Sequence, residues 1–133
     1  MYSGHLSIML YVSDLKQSVE FYHEKLGFGF TGYWDDVNHR VTDNYEEANR
    51  PGYASVKVGE SKIGLHLDPS FEAGPRRFEF HVEIENADAH YAELQAKGLD
   101  LTEPKDESWG ARMFSVTDPD GHVLDFLQPL EEK

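Results

Sequence analysis

The stretch that decides the fold reads Trp109-Gly110-Ala111-Arg112-Met113-Phe114-Ser115-Val116-Thr117-Asp118-Pro119-Asp120-Gly121-His122-Val123-Leu124-Asp125-Phe126. Apolar and polar residues alternate on both sides of the Asp-Pro-Asp-Gly segment. This pattern predicts two strands, 112–117 and 122–128, joined by a tight turn. An ordinary surface hairpin with a solvated Asp125 has the same pattern, so the role of Asp125 depends on the rest of the chain.

The first half of the chain begins with a strand and a helix. Residues 6–12 are apolar and rich in β-branched and aromatic side chains, which favours a strand. Asp14 then supplies a helix N-cap, and Gly27 is the residue type that ends a helix. Between them an amphipathic stripe follows spacings of 4, 3 and 4, which predicts a helix with one buried face: Leu15, Val19, Tyr22 and Leu26.

The second half repeats this order at a constant offset of about 72 residues, from Val12 to Ile84 and from Asp14 to Asn86. Residues 78–84 alternate strictly, which predicts a strand with one apolar and one polar face, and a helix capped by Asn86 follows. Its stripe is Ala87, Tyr91 and Leu94, and it ends at Gly98. Each half continues into hairpins, at 53–58 and 62–68 in the first and at 112–117 and 122–128 in the second.

The repeat predicts one domain over residues 1–133, with module one at 1–70 and module two at 76–133. The fold class is α+β, because each module reads strand–helix–strand–strand–strand. The polar segment 35–50 lacks periodicity and predicts a loop, which serves either as a binding lid or as a passive connection.

Composition excludes several kinds of function. The 133 residues include no cysteine, so disulfides and thiolate ligands are excluded and any metal must use histidine and carboxylate donors. Lys and Arg number 12 against 25 Asp and Glu, and 12 − 25 gives a net charge of −13, which makes nucleic acid a poor partner. No apolar run approaches the roughly 20 residues of a membrane span, so a cytoplasmic protein is expected. The acidic balance indicates either a solvated surface or a cationic ligand.

Several motifs together resemble the vicinal oxygen chelate superfamily, which includes glyoxalases, bleomycin-resistance proteins and extradiol dioxygenases. The motifs are Val12-Ser13-Asp14-Leu15, Ser18-Val19-Glu20-Phe21-Tyr22, Leu26-Gly27-Phe28 and the Trp109–Gly121 stretch. The resemblance implies two tandem βαβββ modules whose eight strands form an open cup with the helices outside. It also implies that Asp125 faces the inside of the cup.

The resemblance further implies four cup positions that hold metal in the enzymes of the superfamily, occupied here by Ser7, His66, Glu79 and Asp125. Serine stands where those enzymes have histidine, and a neutral hydroxyl is a weak ligand. No metal is therefore favoured, although a divalent ion on His66, Glu79 and Asp125 stays possible. His5 and His81 each lie two residues from a cup position and are either further donors or hydrogen-bonded structural residues.

The local match is closest to the bleomycin-resistance branch, through Trp109-Gly110, Arg112, Phe114 and the Asp-Pro turn. In that branch the tryptophan stacks on a flat cationic ligand in a groove between two subunits, which implies the same role for Trp109 in a homodimer. The second aromatic residue of the groove falls near Val37 here, with Tyr33 and Trp34 beside it. The alternative for Trp109 is that it caps the core at the start of a strand.

Two hypotheses of function follow. The first is a protein that binds or sequesters a flat, cationic small molecule in an acidic, aromatic-lined groove, without catalytic residues. The negative potential would come from five acidic residues, Asp35, Asp36, Glu79, Glu83 and Asp125. The predicted ligand-binding residues are Trp109, Tyr53, Arg112, Glu79, Glu83, Asp125, Ser7 and His66. The alternative is a metal-dependent lyase, isomerase or dioxygenase that uses His66, Glu79 and Asp125.

Overall fold

The computed structural model describes residue 3 and residues 6–74 and 79–130. The chain divides into two compact units, residues 1–72 and 73–133. We call these units module one and module two below, although the predicted modules had the bounds 1–70 and 76–133. The described residues of each module form a mixed sheet of five strands with a helix on one face, so the α+β class with two modules is confirmed. Among the described residues, none of the helices has the length and apolarity needed to cross a membrane.

Module one is built around a sheet with the strand order β1-β5-β4-β2-β3, in which β1 and β5 are parallel. A helix and a π-helical segment follow β1, and a short 3-10 helix follows β3. The elements are β1 Ser7–Val12, α1 Leu15–Val19 continued by the π-helical segment Glu20–Lys25, β2 Gly29–Asp35, β3 Arg40–Thr42, the 3-10 helix Tyr45–Glu47, β4 Pro51–Val58 and β5 Ser61–Leu67.

Module two has the strand order β6-β10-β9-β7, with β8 also paired to β9. The strands β6 and β10 are parallel, as β1 and β5 are in module one. The elements are β6 His81–Glu83, α2 Ala87–Gln95, β7 Asp100–Leu101, β8 Lys105–Glu107, β9 Ala111–Thr117 and β10 Val123–Pro129.

The predicted helix caps are confirmed in both modules. The Asp14 carboxylate accepts the backbone N–H of Gln17 at 3.0 Å, and the Asn86 side chain accepts that of Ala89 at 3.0 Å. Gly27 and Gly98 follow the helices with φ of 81° and 73°, the left-handed conformation that favours glycine. The signals that start and end these helices are therefore local ones.

Each sheet has a face that packs against its helix and an opposite face, which we call the open face. On β10, Leu124 and Phe126 are buried on the helix side, where the Phe126 ring meets His90 of α2 at 4.8 Å. Asp125 lies between them in sequence and therefore points to the open face. In module one the same alternation places Met9 and Tyr11, both about half exposed, on the open face of β1.

Three features differ from the sequence predictions. The described residues form ten strands, where eight were expected, because β3 and β8 add short pairs at sheet margins. The strand predicted at 78–84 is β6 at His81–Glu83, and Phe78 lies outside the described residues. The segment 35–50 contains β3 and the 3-10 helix, because a buried carboxylate at its base orders it (see below).

Candidate functional site

Asp125 lies in the middle of a row of polar side chains across the sheet of module two. The strand pairing places Asp125 opposite His81 on β6 and opposite Ser115 on β9. Asp125 is only 3% exposed, and the Ser115 hydroxyl donates to its Oδ1 at 2.6 Å. The hydroxyl gives the buried carboxylate one of the hydrogen bonds that burial requires.

His81 connects this row to an acidic side chain and to an exposed aromatic ring. Its Nε2 lies 3.4 Å from Glu79 Oε1 and 3.7 Å from Asp125 Oδ2. Its ring is nearly parallel to that of Trp109, with an angle of 12° between the planes and 6.2 Å between the centroids. We call the group Glu79, His81, Trp109, Ser115 and Asp125 the Trp109 site.

A tight turn presents the Trp109 ring to solvent. The N–H of Gly110 donates to the Glu107 carbonyl at 3.2 Å, and Gly110 adopts a φ of 97° that a side chain would strain. Trp109 precedes β9 in this turn and is 58% exposed. An indole with that exposure does not cap a core, and its ring is accessible from solvent.

The site contains serine, aspartate and histidine, but not in the order of a hydrolytic triad. A nucleophilic serine needs the histidine as its neighbour, with the carboxylate behind the histidine. Here the Ser115 hydroxyl bonds to Asp125, and the aspartate stands between serine and histidine. The arrangement holds a carboxylate and an imidazole in place and does not activate the hydroxyl.

The same residues include a donor set that fits a metal ion. One atom from each of Glu79, His81 and Asp125 lies within 4.8 Å of the others. One imidazole and two carboxylates suit a borderline divalent ion. The metal-enzyme hypothesis from the sequence used His66 as the imidazole donor, whereas the structure groups Glu79 and Asp125 with His81.

The open face of module one holds a separate cavity of about 550 Å³, which we call the Tyr53 cavity. Trp34 of β2 lies opposite Val41 of β3 on one side and opposite Tyr53 of β4 on the other, so three apolar side chains form a row across the sheet. The residues that line the cavity are Thr31, Gly32, Trp34, Val41, Tyr53, Ser55 and Lys62.

The other predicted residues of module one lie on the same sheet. His66 is exposed on β5, opposite Tyr53 and Tyr11 in the strand register, and its ring centroid lies 5.3 Å from that of Tyr11. Ser7 is exposed at the start of β1, opposite Lys62. His5 lies outside the described residues.

Arg112 lies on the helix side of its sheet. Its guanidinium makes ion pairs of 3.0 Å with Asp88 of α2 and with Asp106 of β8. The hydrogen bonds that the guanidinium donates to these two carboxylates raise the pKa of Arg112. The side chain joins α2 and β8 to β9, on the face opposite Asp125. Glu83 is exposed on the face of β6 that carries His81.

Asp35 is the acidic residue whose structural role differs most from the expected one. It has no solvent exposure, so it cannot provide an exposed charge in a groove. Its carboxylate accepts five hydrogen bonds, and it orders the segment 36–50. Burial alone raises the pKa of a carboxyl, but the bonds from the N–H groups of Asn49, Val37 and Arg50 and from the Asn38 side chain prevail, so the pKa of Asp35 lies well below its ordinary value. Asp36 is the exposed member of the pair.

Sequence reasoning missed Ser115 and the role of Asp35. Ser115 had an available signal, because a hairpin closed at Asp118–Gly121 with regular pairing brings residues 115 and 125 opposite each other. Asp35 and Asp36 are adjacent in an aperiodic segment, so the sequence pattern did not indicate which of the two carboxylates would be buried.

The profile of the Glyoxalase/Bleomycin resistance protein/Dioxygenase superfamily matches residues 4–126 of this chain. The uncharacterized protein YraH of Bacillus subtilis strain 168 is 30% identical over 131 residues, covering 94% of this chain and 98% of YraH. A bleomycin resistance protein of Geobacillus stearothermophilus is 30% identical over 126 residues, covering 90% of this chain and 92% of that protein.

Among solved structures, TnmS3, an antibiotic binding protein from Streptomyces sp. CB03234, is similar at a TM-score of 0.67 and 25% identity. The match covers 97% of this chain and 99% of TnmS3. The profile match, the full-length relatives and the two βαβββ-like modules agree. The chain therefore belongs to the glyoxalase/bleomycin resistance protein/dioxygenase superfamily and groups with its bleomycin-resistance branch.

Proposed function

We propose that this protein binds and sequesters a flat, cationic small molecule, and that it does so without converting it. The observation that carries the proposal is the exposed Trp109 ring, held parallel to His81 beside two carboxylates. The full-length similarity to a bleomycin resistance protein and the similarity to an antibiotic binding protein support the same class of function.

The geometry of the Trp109 site suits a flat ligand. The Gly110 turn sets the backbone beside the indole, and Glu79 Oε1 and Asp125 Oδ2 lie 3.4 and 3.7 Å from His81 Nε2. We therefore expect binding to order little of the site. Parallel rings accept a third ring by stacking, and an indole face attracts a cation. Glu79 and Glu83 add negative charge on the same side of β6.

The Tyr53 cavity supplies a second surface for the same class of ligand. Trp34 and Tyr53 offer flat apolar area, and cavities that bind small molecules combine such area with a few polar groups. The hydroxyls of Thr31 and Ser55 are hydrogen-bonded to each other there, and Lys62 also lines the cavity, next to which an uncharged part of the ligand would lie. Ser7 and His66 remain proposed contacts on this face, while Arg112 is left out because α2 and β8 hold it.

A metal-dependent lyase, isomerase or dioxygenase is the second candidate, favoured by one observation, the donor set Glu79, His81 and Asp125. A divalent ion held there would polarise oxygen atoms of a bound substrate. Elemental analysis of protein purified without chelator separates the candidates. Sequestration predicts less than stoichiometric metal, and a stoichiometric transition metal would favour the enzyme.

The test of the proposed site is the substitution Trp109→Ala, with metal-free bleomycin as the probe. Loss of one stacked aromatic ring weakens binding by roughly 1–3 kcal/mol, about five- to 150-fold in Kd, measured by calorimetry. The thermal midpoint stays near that of the parent, because the ring is exposed.

Trp109→Phe is the matched control, and it retains part of the affinity because a flat ring remains. A second readout uses the variant Trp34→Phe, in which Trp109 is the only tryptophan and its fluorescence reports the ligand directly. If Trp109→Ala binds bleomycin as tightly as the parent, Trp109 is not part of the site.

A further inference from the structure

Asp35 lies at the end of β2 and contacts both ends of the segment 36–50. Its Oδ1 accepts the backbone N–H of Val37 at 2.9 Å, near the start of the segment, and that of Arg50 at 3.2 Å, at its end. Its Oδ2 accepts the N–H of Asn49 at 2.8 Å and the side-chain amide of Asn38 at 2.9 Å. One buried carboxylate therefore joins the two ends of the segment 36–50 by hydrogen bonds.

The closed segment forms part of the Tyr53 cavity. Between its two ends the chain forms β3, which pairs with β2 so that Val41 lies opposite Trp34. Both side chains line the cavity. In the turn before β3, the N–H of His39 donates to the backbone carbonyl of residue 35 at 2.9 Å, and His39 has a φ of 53°.

Two glycines of the neighbouring strands lie in close contact with side chains of the segment 36–50. A Cβ at Gly32 would collide with the Val41 side chain, and a Cβ at Gly52 would collide with the Asp36 carboxylate. Glycine at these two positions lets β3 and the loop lie directly against β2 and β4. A displaced segment would therefore move Val41 relative to Trp34.

We propose that Asp35 is a positioning residue that sets the wall of the Tyr53 cavity and, through it, the affinity for ligand. It does not touch the ligand. A ligand binds more tightly to a wall that is already in place, because binding then orders no loop. The proposal concerns the site of the proposed function, but its effect on the cavity wall is independent of any ligand.

The first experiment needs no ligand. In a Trp109→Phe background, Trp34 is the only tryptophan, and acrylamide quenching of its fluorescence reports access to the cavity wall. Asp35→Asn replaces one carboxylate oxygen by an NH2 group, which cannot accept the N–H groups that Asp35 binds. The variant should therefore raise quenching of Trp34 and speed amide exchange at four residues, Val37, Asn38, Asn49 and Arg50. Unchanged quenching and exchange would overturn the proposal, whatever the ligand result.

The second experiment measures binding of metal-free bleomycin to Asp35→Asn in the otherwise native sequence. Kd should rise by roughly tenfold, because binding must then order a segment that is already ordered in the parent protein. A folded variant with the parent's Kd would overturn the proposal. A parent that does not bind bleomycin would count against the proposed function, and the quenching experiment would still decide the role of Asp35.

Two further variants separate positioning from stability. Asp118→Asn is a matched control, because Asp118 is a buried carboxylate that accepts the N–H groups of Asp120 and His122 at 2.8 Å in the turn of module two. It should lower the thermal midpoint and leave Trp34 quenching unchanged. If Asp35→Asn does not fold, Asn38→Ala removes one donor only, and it must raise Trp34 quenching for the proposal to stand.

Discussion

At the scale of single residues, the carboxylates show how far a sequence determines a role. Asp125 lies in a hairpin whose turn defines the pairing, so its burial on one face and its contact with Ser115 follow from local rules. Its contact with His81 depends on the parallel pairing of β6 with β10, which no local pattern specifies. Asp35 gains its partners from residues up to 15 positions away, so its role was beyond sequence reasoning.

His90 provides a prediction at this scale, because its ring is packed against Phe114 and Phe126. Burial lowers the pKa of His90 below the ordinary 6.5, an effect that Glu93 opposes and Lys97 reinforces. As the pH falls through 6.5, the unfolded chain takes up a proton here while the folded protein resists it. His90 therefore lowers the free energy of unfolding as the solution becomes more acidic.

The measurement is the free energy of unfolding, obtained from urea melts at pH 6.5 and at a series of lower pH values. His90→Gln should reduce the loss of stability on acidification relative to the parent. His39→Gln, the same substitution at an exposed position, is the control. Equal slopes for the parent and His90→Gln would show that His90 does not contribute.

At the scale of elements, the helices followed from sequence better than the small strands did. Caps and terminal glycines are local signals, and both helices begin where Asp14 and Asn86 predict. The 4-3-4 stripe did not reveal that residues 20–25 form π-helical hydrogen bonds, because that spacing is also met by a regular α-helix. The three-residue strands β3 and β8 form through pairing with neighbours, which a pattern of three residues cannot predict.

The Asn86 cap allows a quantitative prediction for α2. Asn86→Ala removes the acceptor of the Ala89 N–H and should cost about 1 kcal/mol of unfolding free energy, measured in urea. Asn86→Ser is the control, and it should retain most of the stability because serine also caps helices. If Asn86→Ala lost no more unfolding free energy than Asn86→Ser, the cap would contribute little to stability.

At the scale of the whole molecule, the internal repeat predicted the order of the elements in both modules. The offset of 72 residues relates β1 to β6 and the Asp14 cap to the Asn86 cap. A repeat does not specify how strands pair at sheet margins or which charged residues become buried. The candidate site was therefore predicted in part, through Trp109, Glu79 and Asp125.

We predict that the protein is a homodimer. Twofold dimers are the commonest oligomers, and the resemblance to the bleomycin-resistance branch implies a ligand groove between two subunits. Sedimentation equilibrium should give twice the mass of 15.2 kDa. A monomer over the whole accessible concentration range would contradict this prediction and would require each chain to bind ligand alone.

The most direct test of binding without conversion is equilibrium dialysis of the parent protein against metal-free bleomycin in the presence of EDTA. After dialysis the protein is denatured, and the released compound is identified by mass spectrometry. We expect saturable binding and recovery of the unchanged compound. Absence of binding, or recovery of a chemically altered compound, would contradict the proposal that this protein sequesters its ligand.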